Sequence, residues 1–148
     1  MNLNLTTKDM GQLQEIVRVL EPFCEATDLT QGDKVVTISC VIPVILSLNK
    51  HLESRSSSGS SVVAFPKALL HSLKSRFAKL FDLIGIPCGT AGTNALQFNS
   101  HLFLQAAALD PRFGFNWLED HSGTDGEKQA LRFRVNGLHI QLFIYYSP

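Results

Sequence analysis

Met10, Leu13, Ile16, Val17, Leu20, Phe23 and Cys24 recur about one helical turn apart. That spacing lines one side of a helix, whereas a strand would alternate every second residue. Thr6 supplies a capping hydroxyl just before the pattern. Asp9, three residues later, can return the bond to the Thr6 backbone. Pro22 falls inside the pattern, removes one backbone donor, and is expected to bend the helix over residues 18–20.

Residues 34–52 are predominantly apolar, interrupted by Thr37, Ser39, Ser47 and Asn49. Val35, Val36, Ile38, Val41 and Ile42 favour a strand by propensity, but the run is too long for one and carries Pro43 at its centre. It is assigned as a second helix, capped by Asp33 and kinked at Pro43. Serine dominates residues 54–61, which with their flank form a loop at 54–64 with little apolar surface to bury. Pro66 then opens a third helix through Leu69, Leu73, Phe77, Leu80 and Ile84, which Gly85 and Pro87 end. A fourth spans residues 94–109. Asp110 is positioned to cap a short next helix, with Pro111 at its first position and Trp117 and Leu118 at its end. Residues 127–135 read as a further helix. Residues 138–146 alternate weakly and are rich in β-formers, so the pattern assigns them no state. The expected architecture is all-α: an irregular bundle of five to six helices with proline-kinked first and second helices. It comprises a helical segment at 1–137 and a divergent C-terminal tail at 138–148.

Charge and cysteine usage narrow the function. Thirteen basic residues balance thirteen acidic ones, so no long-range field draws in phosphate backbones. Cys24, Cys40 and Cys88 are odd in number and widely spaced, which suits free thiols in a reducing compartment. Neither these cysteines nor the five histidines have metal-ligand spacing, and no Gly-x-Ser-x-Gly turn frames a nucleophile. The glycine-rich stretch 85–93 lacks the Lys-Ser or Lys-Thr of a nucleotide loop. The expectation is therefore no catalytic residue, metal or cofactor, no small-molecule substrate and no membrane span. The candidate nucleic-acid contacts are Lys67, Lys74, Arg76 and Lys79, which with His71 form a run free of acids until Asp82. The competing reading of that run is the solvated side of an amphipathic helix.

Two stretches carry a family resemblance. The first is Leu20-Glu21-Pro22-Phe23-Cys24-Glu25-Ala26-Thr27, followed by Val36-Thr37-Ile38-Ser39 and Ile42-Pro43. The second is Leu109-Asp110-Pro111-Arg112-Phe113 with Trp117-Leu118. In order and spacing they resemble hAT-superfamily transposases, most closely the BED-type zinc-finger proteins derived from them, over residues 13–135. The marker residues are Pro22, Phe23, Pro43, Asp110, Pro111, Arg112, Phe113 and Trp117. The resemblance implies a parent with a BED finger, a ribonuclease-H-like domain interrupted by a helical insertion, and a dimerisation region; this chain resembles the insertion. The family's two catalytic aspartates and glutamate, and the ligands of its finger, belong to motifs outside the matched part. The resemblance therefore implies an enzymatically inactive interaction or scaffold element of a nuclear (alternatively cytoplasmic) DNA-binding, transcription-regulating family. Its implied partners are DNA through the parent protein, and a homodimer or other transposase-derived chains. The alternatives are a DNA-backbone-binding module centred on residues 67–79 and a truncated remnant without function. The chain departs from the family at Gly114, where a lysine is usual, and over residues 138–148.

Overall fold

The computed structural model describes residues 5–31, 37–59, 61–86, 88, 98 and 100–146, with side chains described as far as residue 137. Among the described residues six α-helices run in the order α1 (Thr7–Thr30), α2 (Val41–Ser56), α3 (Ala64–Arg76), α4 (Ala78–Leu83), α5 (Leu102–Leu109) and α6 (Asp125–Tyr146). Short 3₁₀ segments at Ile38–Cys40 and Asn116–Asp120 complete the described elements. No strand occurs among the described residues, so the chain is all-α.

The start of α1 is the reciprocal cap that Thr6 and Asp9 imply. The Asp9 N–H donates to Thr6 Oγ1 at 3.2 Å, and Asp9 Oδ2 accepts the Thr6 N–H at 2.9 Å. The helix is assigned without interruption through Pro22. Its apolar residues do not share one environment, however. Val19 is buried, with Phe23 and Ala26 packed partly against the core, whereas Met10, Leu13, Val17 and Leu20 face outward.

Helix α2 begins at Val41, later than expected, and follows directly from the 3₁₀ turn Ile38–Cys40. Pro43 is consequently the third helical residue. Donors in the first turn have no intrahelical acceptor, so a proline there interrupts nothing, and the expected mid-helix kink gives way to an ordinary helix start. The expected cap, Asp33, lies outside the described residues. Ile42, Ile45, Leu46, Leu48, Asn49 and Leu52 are buried because α2 is the centre of the bundle. It packs against α1, α3, α5 and both 3₁₀ segments. Burial on several sides, rather than strand pairing, accounts for its continuous apolar sequence.

Other boundaries move as well. Helix α2 runs to Ser56 and α3 starts at Ala64, so both ends of the expected loop 54–64 are helical. The third helix divides at Phe77, whose φ of −106° and ψ of 21° leave helical geometry and whose ring packs on Phe98 at 4.6 Å. Helix α5 starts only at Leu102, and residues 94–97 and 99 of the expected helix lie outside the described residues. After Pro111 the chain forms turns and then the 3₁₀ segment, not a short α-helix. Helix α6, in contrast, continues past 137 to Tyr146 through the β-rich sequence. Leu131 and Val135 bury its inner side, one helical turn apart, and the helix packs on α5.

Candidate functional site

The run Leu109-Asp110-Pro111-Arg112-Phe113 ends α5 and turns the chain. The Asp110 C=O accepts the N–H groups of Phe113 at 3.0 Å and Gly114 at 2.8 Å, which closes the turn. Gly114 then takes a φ of 51°, in the left-handed region that an L side chain enters at a cost of about 1 kcal/mol or more. That conformation suits glycine. The Trp117 indole N–H donates to the Gly114 C=O at 2.8 Å and fastens the far side of the corner. Trp117 and Leu118 are buried beneath it.

Sequence pattern places Asp110 as the cap of a following helix; its carboxylate instead organises the corner itself. Oδ1 accepts the Arg112 backbone N–H at 2.9 Å, and the guanidinium grips the same carboxylate through Nε at 3.0 Å and Nη2 at 2.6 Å. Ser39, in the 3₁₀ turn before α2, donates its hydroxyl to Asp110 Oδ2 at 2.6 Å. The Arg112 guanidinium, the Ser39 hydroxyl and the Arg112 N–H together hold the Asp110 carboxyl well below the usual carboxylate range. The carboxylate in turn pushes the Arg112 pKa up. Arg112 also lies over the Phe113 ring, 5.3 Å from its centroid. The 3₁₀ turn before α2 and the corner after α5 thus meet through Ser39, Asp110 and Arg112. A further link, from Lys50 of α2 to Asp120 at 2.8 Å, ties the end of the corner to the central helix.

Pro22 and Pro43 line one cleft of about 240 Å³ between α1 and α2. Phe23 lines a neighbouring apolar cleft of about 400 Å³ with Val44, Leu48, Leu73 and Phe77, and Arg76 joins that lining.

The four candidate nucleic-acid contacts do not form one bank of cations. Lys74 points back to α2 and pairs with Glu53 at 2.8 Å. Lys79 sits beyond the joint at Phe77 and pairs with Asp82 at 3.5 Å. Arg76 lines the apolar cleft, and Lys67 is exposed on α3. Two of the four charges are therefore already met by carboxylates.

Among the described residues no group of three His, Cys, Asp or Glu side chains could hold a metal ion. The acids near the last turn have structural partners: Asp120 holds Lys50, and Glu127 accepts the Thr124 N–H at 2.6 Å and its hydroxyl at 2.9 Å. Cys40 is fully buried, Cys24 exposed and Cys88 intermediate. Burial pushes the Cys88 thiol up, away from the thiolate that a nucleophile requires. Among the described residues no helix is long and apolar enough to cross a membrane.

Two structural features carry no role in the sequence pattern. His121 is buried, with Nε2 2.7 Å from the Ile84 C=O and Nδ1 accepting the Gly123 N–H at 2.9 Å. Nε2 therefore carries the proton and donates. A Cβ on Gly123 would come within 2.6 Å of the His121 ring, so this turn requires glycine. Thr124 and Glu127 form a capping pair at the start of α6, with the same threonine-to-acid spacing as Thr6 and Asp9; that spacing was the available signal. Comparison with protein-family models, with curated proteins and with solved structures finds no match to this chain.

Proposed function

We propose that this chain is a helical interaction segment without catalytic activity, related to the insertion region of hAT transposase-like BED zinc-finger proteins and acting in the nucleus. The observation that carries the reading is the junction of Ser39, Asp110 and Arg112, which joins the two stretches of the resemblance across 71 residues of sequence. An aspartate gripped by arginine and serine is a lock: its oxygens are engaged internally, and among the described residues no metal ligand set stands beside it to activate a nucleophile or water. Interaction with another protein is also favoured over backbone contact with DNA by the pairing of Lys74 and Lys79 with carboxylates.

The test is metal-dependent strand cleavage of terminal-inverted-repeat DNA by the purified chain in magnesium or manganese. No cleavage is expected, and robust cleavage would overturn the proposal. DNA affinity measured across a salt series addresses the competing nucleic-acid reading. A steep slope that falls when Lys67, Lys74 and Lys79 are changed to alanine would favour that reading; little slope is expected.

A further inference from the structure

The serine-rich connection between α2 and α3 carries one serine that shares a cleft with two arginines. Ser58 follows the last residue of α2 by two and is exposed, in a bend ahead of Gly59. It lines a cleft of about 270 Å³ with Arg18 of α1 and Arg55 of α2. Val19 and Pro66, both buried, supply apolar lining. Neither guanidinium is in an ion pair among the described residues, and among the described lining residues Glu15 is the one carboxylate. The Ser58 hydroxyl donates to the Arg55 C=O at 2.7 Å, an exposed bond that rotation of the side chain breaks.

Sequence singles out the same serine. Arg55 stands three residues before Ser58, and the chain contains no other Arg-x-x-Ser or Arg-x-x-Thr. A serine kinase whose acidic groove selects arginine at that distance has one place to act. Ser57 instead has Ser54 at that distance, and its hydroxyl is bonded to the Glu53 C=O. Charge then sets the fate of the modified side chain. A phosphoserine brings about two negative charges, and oxygens that a guanidinium binds through paired N–H donors. The C-terminal end of α2 opposes it with roughly half a unit of negative charge, and Glu15 with about one. The two arginines together exceed both.

We propose that Ser58 is phosphorylated by an arginine-directed serine kinase, and that its phosphate is held between Arg18 and Arg55, fastening α1 to the connection between α2 and α3. Ser58 Oγ forms a bond to the γ-phosphorus of ATP as the bond from that phosphorus to its bridging oxygen breaks; ADP departs and the hydroxyl proton passes to solvent. Val19 is the one buried residue of α1, so the tie at Arg18 adds an ionic anchor directly beside it. The modification is therefore a switch on the docking of α1.

The intact chain, incubated with ATP and calmodulin-dependent kinase II, which selects arginine three residues before its serine, should carry phosphate on Ser58 by peptide mapping. Arg55→Ala should slow that transfer about tenfold or more. Phosphate mapped to another serine, or none on the folded chain, would overturn the site. The clamp is read separately, on chain synthesised with phosphoserine at position 58. Its Tm at neutral pH should rise by about 3 °C or more over the unmodified chain, and its phosphate should lose its last proton at lower pH, by phosphorus NMR, than in Arg18→Gln. Arg18 is exposed, so circular dichroism of unmodified Arg18→Gln should match the natural chain. A Tm that falls on phosphorylation, the mark of repulsion from the end of α2, would sink the clamp, as would a phosphate titration that Arg18→Gln leaves unmoved.

Discussion

Helices α1 and α2 are both rich in leucine, isoleucine and valine, and each contains a proline. In α2 six residues are buried; in the longer α1 only Val19 is. The difference comes from neighbours. Helix α2 is flanked by α1, α3, α5 and the two 3₁₀ segments, so residues on several of its sides find apolar contacts. Helix α1 packs chiefly on α2, which uses one stripe and leaves the other in solvent. An apolar pattern therefore states which side of a helix can be buried, and the surrounding elements select the side that is.

Leu46→Ala in α2 should destabilise the bundle most severely. Leu46 is fully buried, and the substitution should cost about 2–5 kcal/mol in urea unfolding; a loss below about 1 kcal/mol would contradict the central place of α2. Val19→Ala tests the one buried position of α1 and should cost about 2 kcal/mol, two methyl groups plus a small cavity. A null effect would mean that α1 is not docked.

Asp110→Asn probes the lock that joins the corner to the approach to α2, and should lower Tm by less than Val19→Ala does. Because the folded structure holds the Asp110 pKa below its ordinary 3.8, its ionised form stabilises the fold above that pH. The stabilisation fades as pH falls below about 4. The gap in Tm between the natural chain and Asp110→Asn should then be full at neutral pH and narrow in acid; a gap independent of pH would refute the ionic lock. The smallest effect belongs to Val17→Ala, which should change unfolding of the chain by no more than about 0.5 kcal/mol. A larger loss there would erase the contrast between the two stripes.

Much of the helical content was legible because its signals are local. Thr6 and Asp9 are three residues apart, and their reciprocal bonds follow from that spacing alone. Thr124 and Glu127 carry the same signature. The corner at Asp110 and Pro111 was legible as the end of α5, but the role of Ser39 was not, since nothing within a helical turn of Ser39 points to a carboxylate 71 residues away. The partners of the basic run were not legible for a related reason. On one helix Lys67, His71 and Lys74 share a side, yet Glu53 of α2 claims Lys74, and the joint at Phe77 places Lys79 on a separate helix.

Caps, prolines and glycines act on backbone groups within about four residues, so the helical character of the chain, the start of α1 and the corner that stops α5 are all written locally in the residues. Packing settled the rest: which stripe of α1 is buried, where Pro43 falls in α2, and which partner holds Asp110. Each of these depends on the side chains that another element brings alongside, and those contacts exist only once α1, α2 and α5 have packed together.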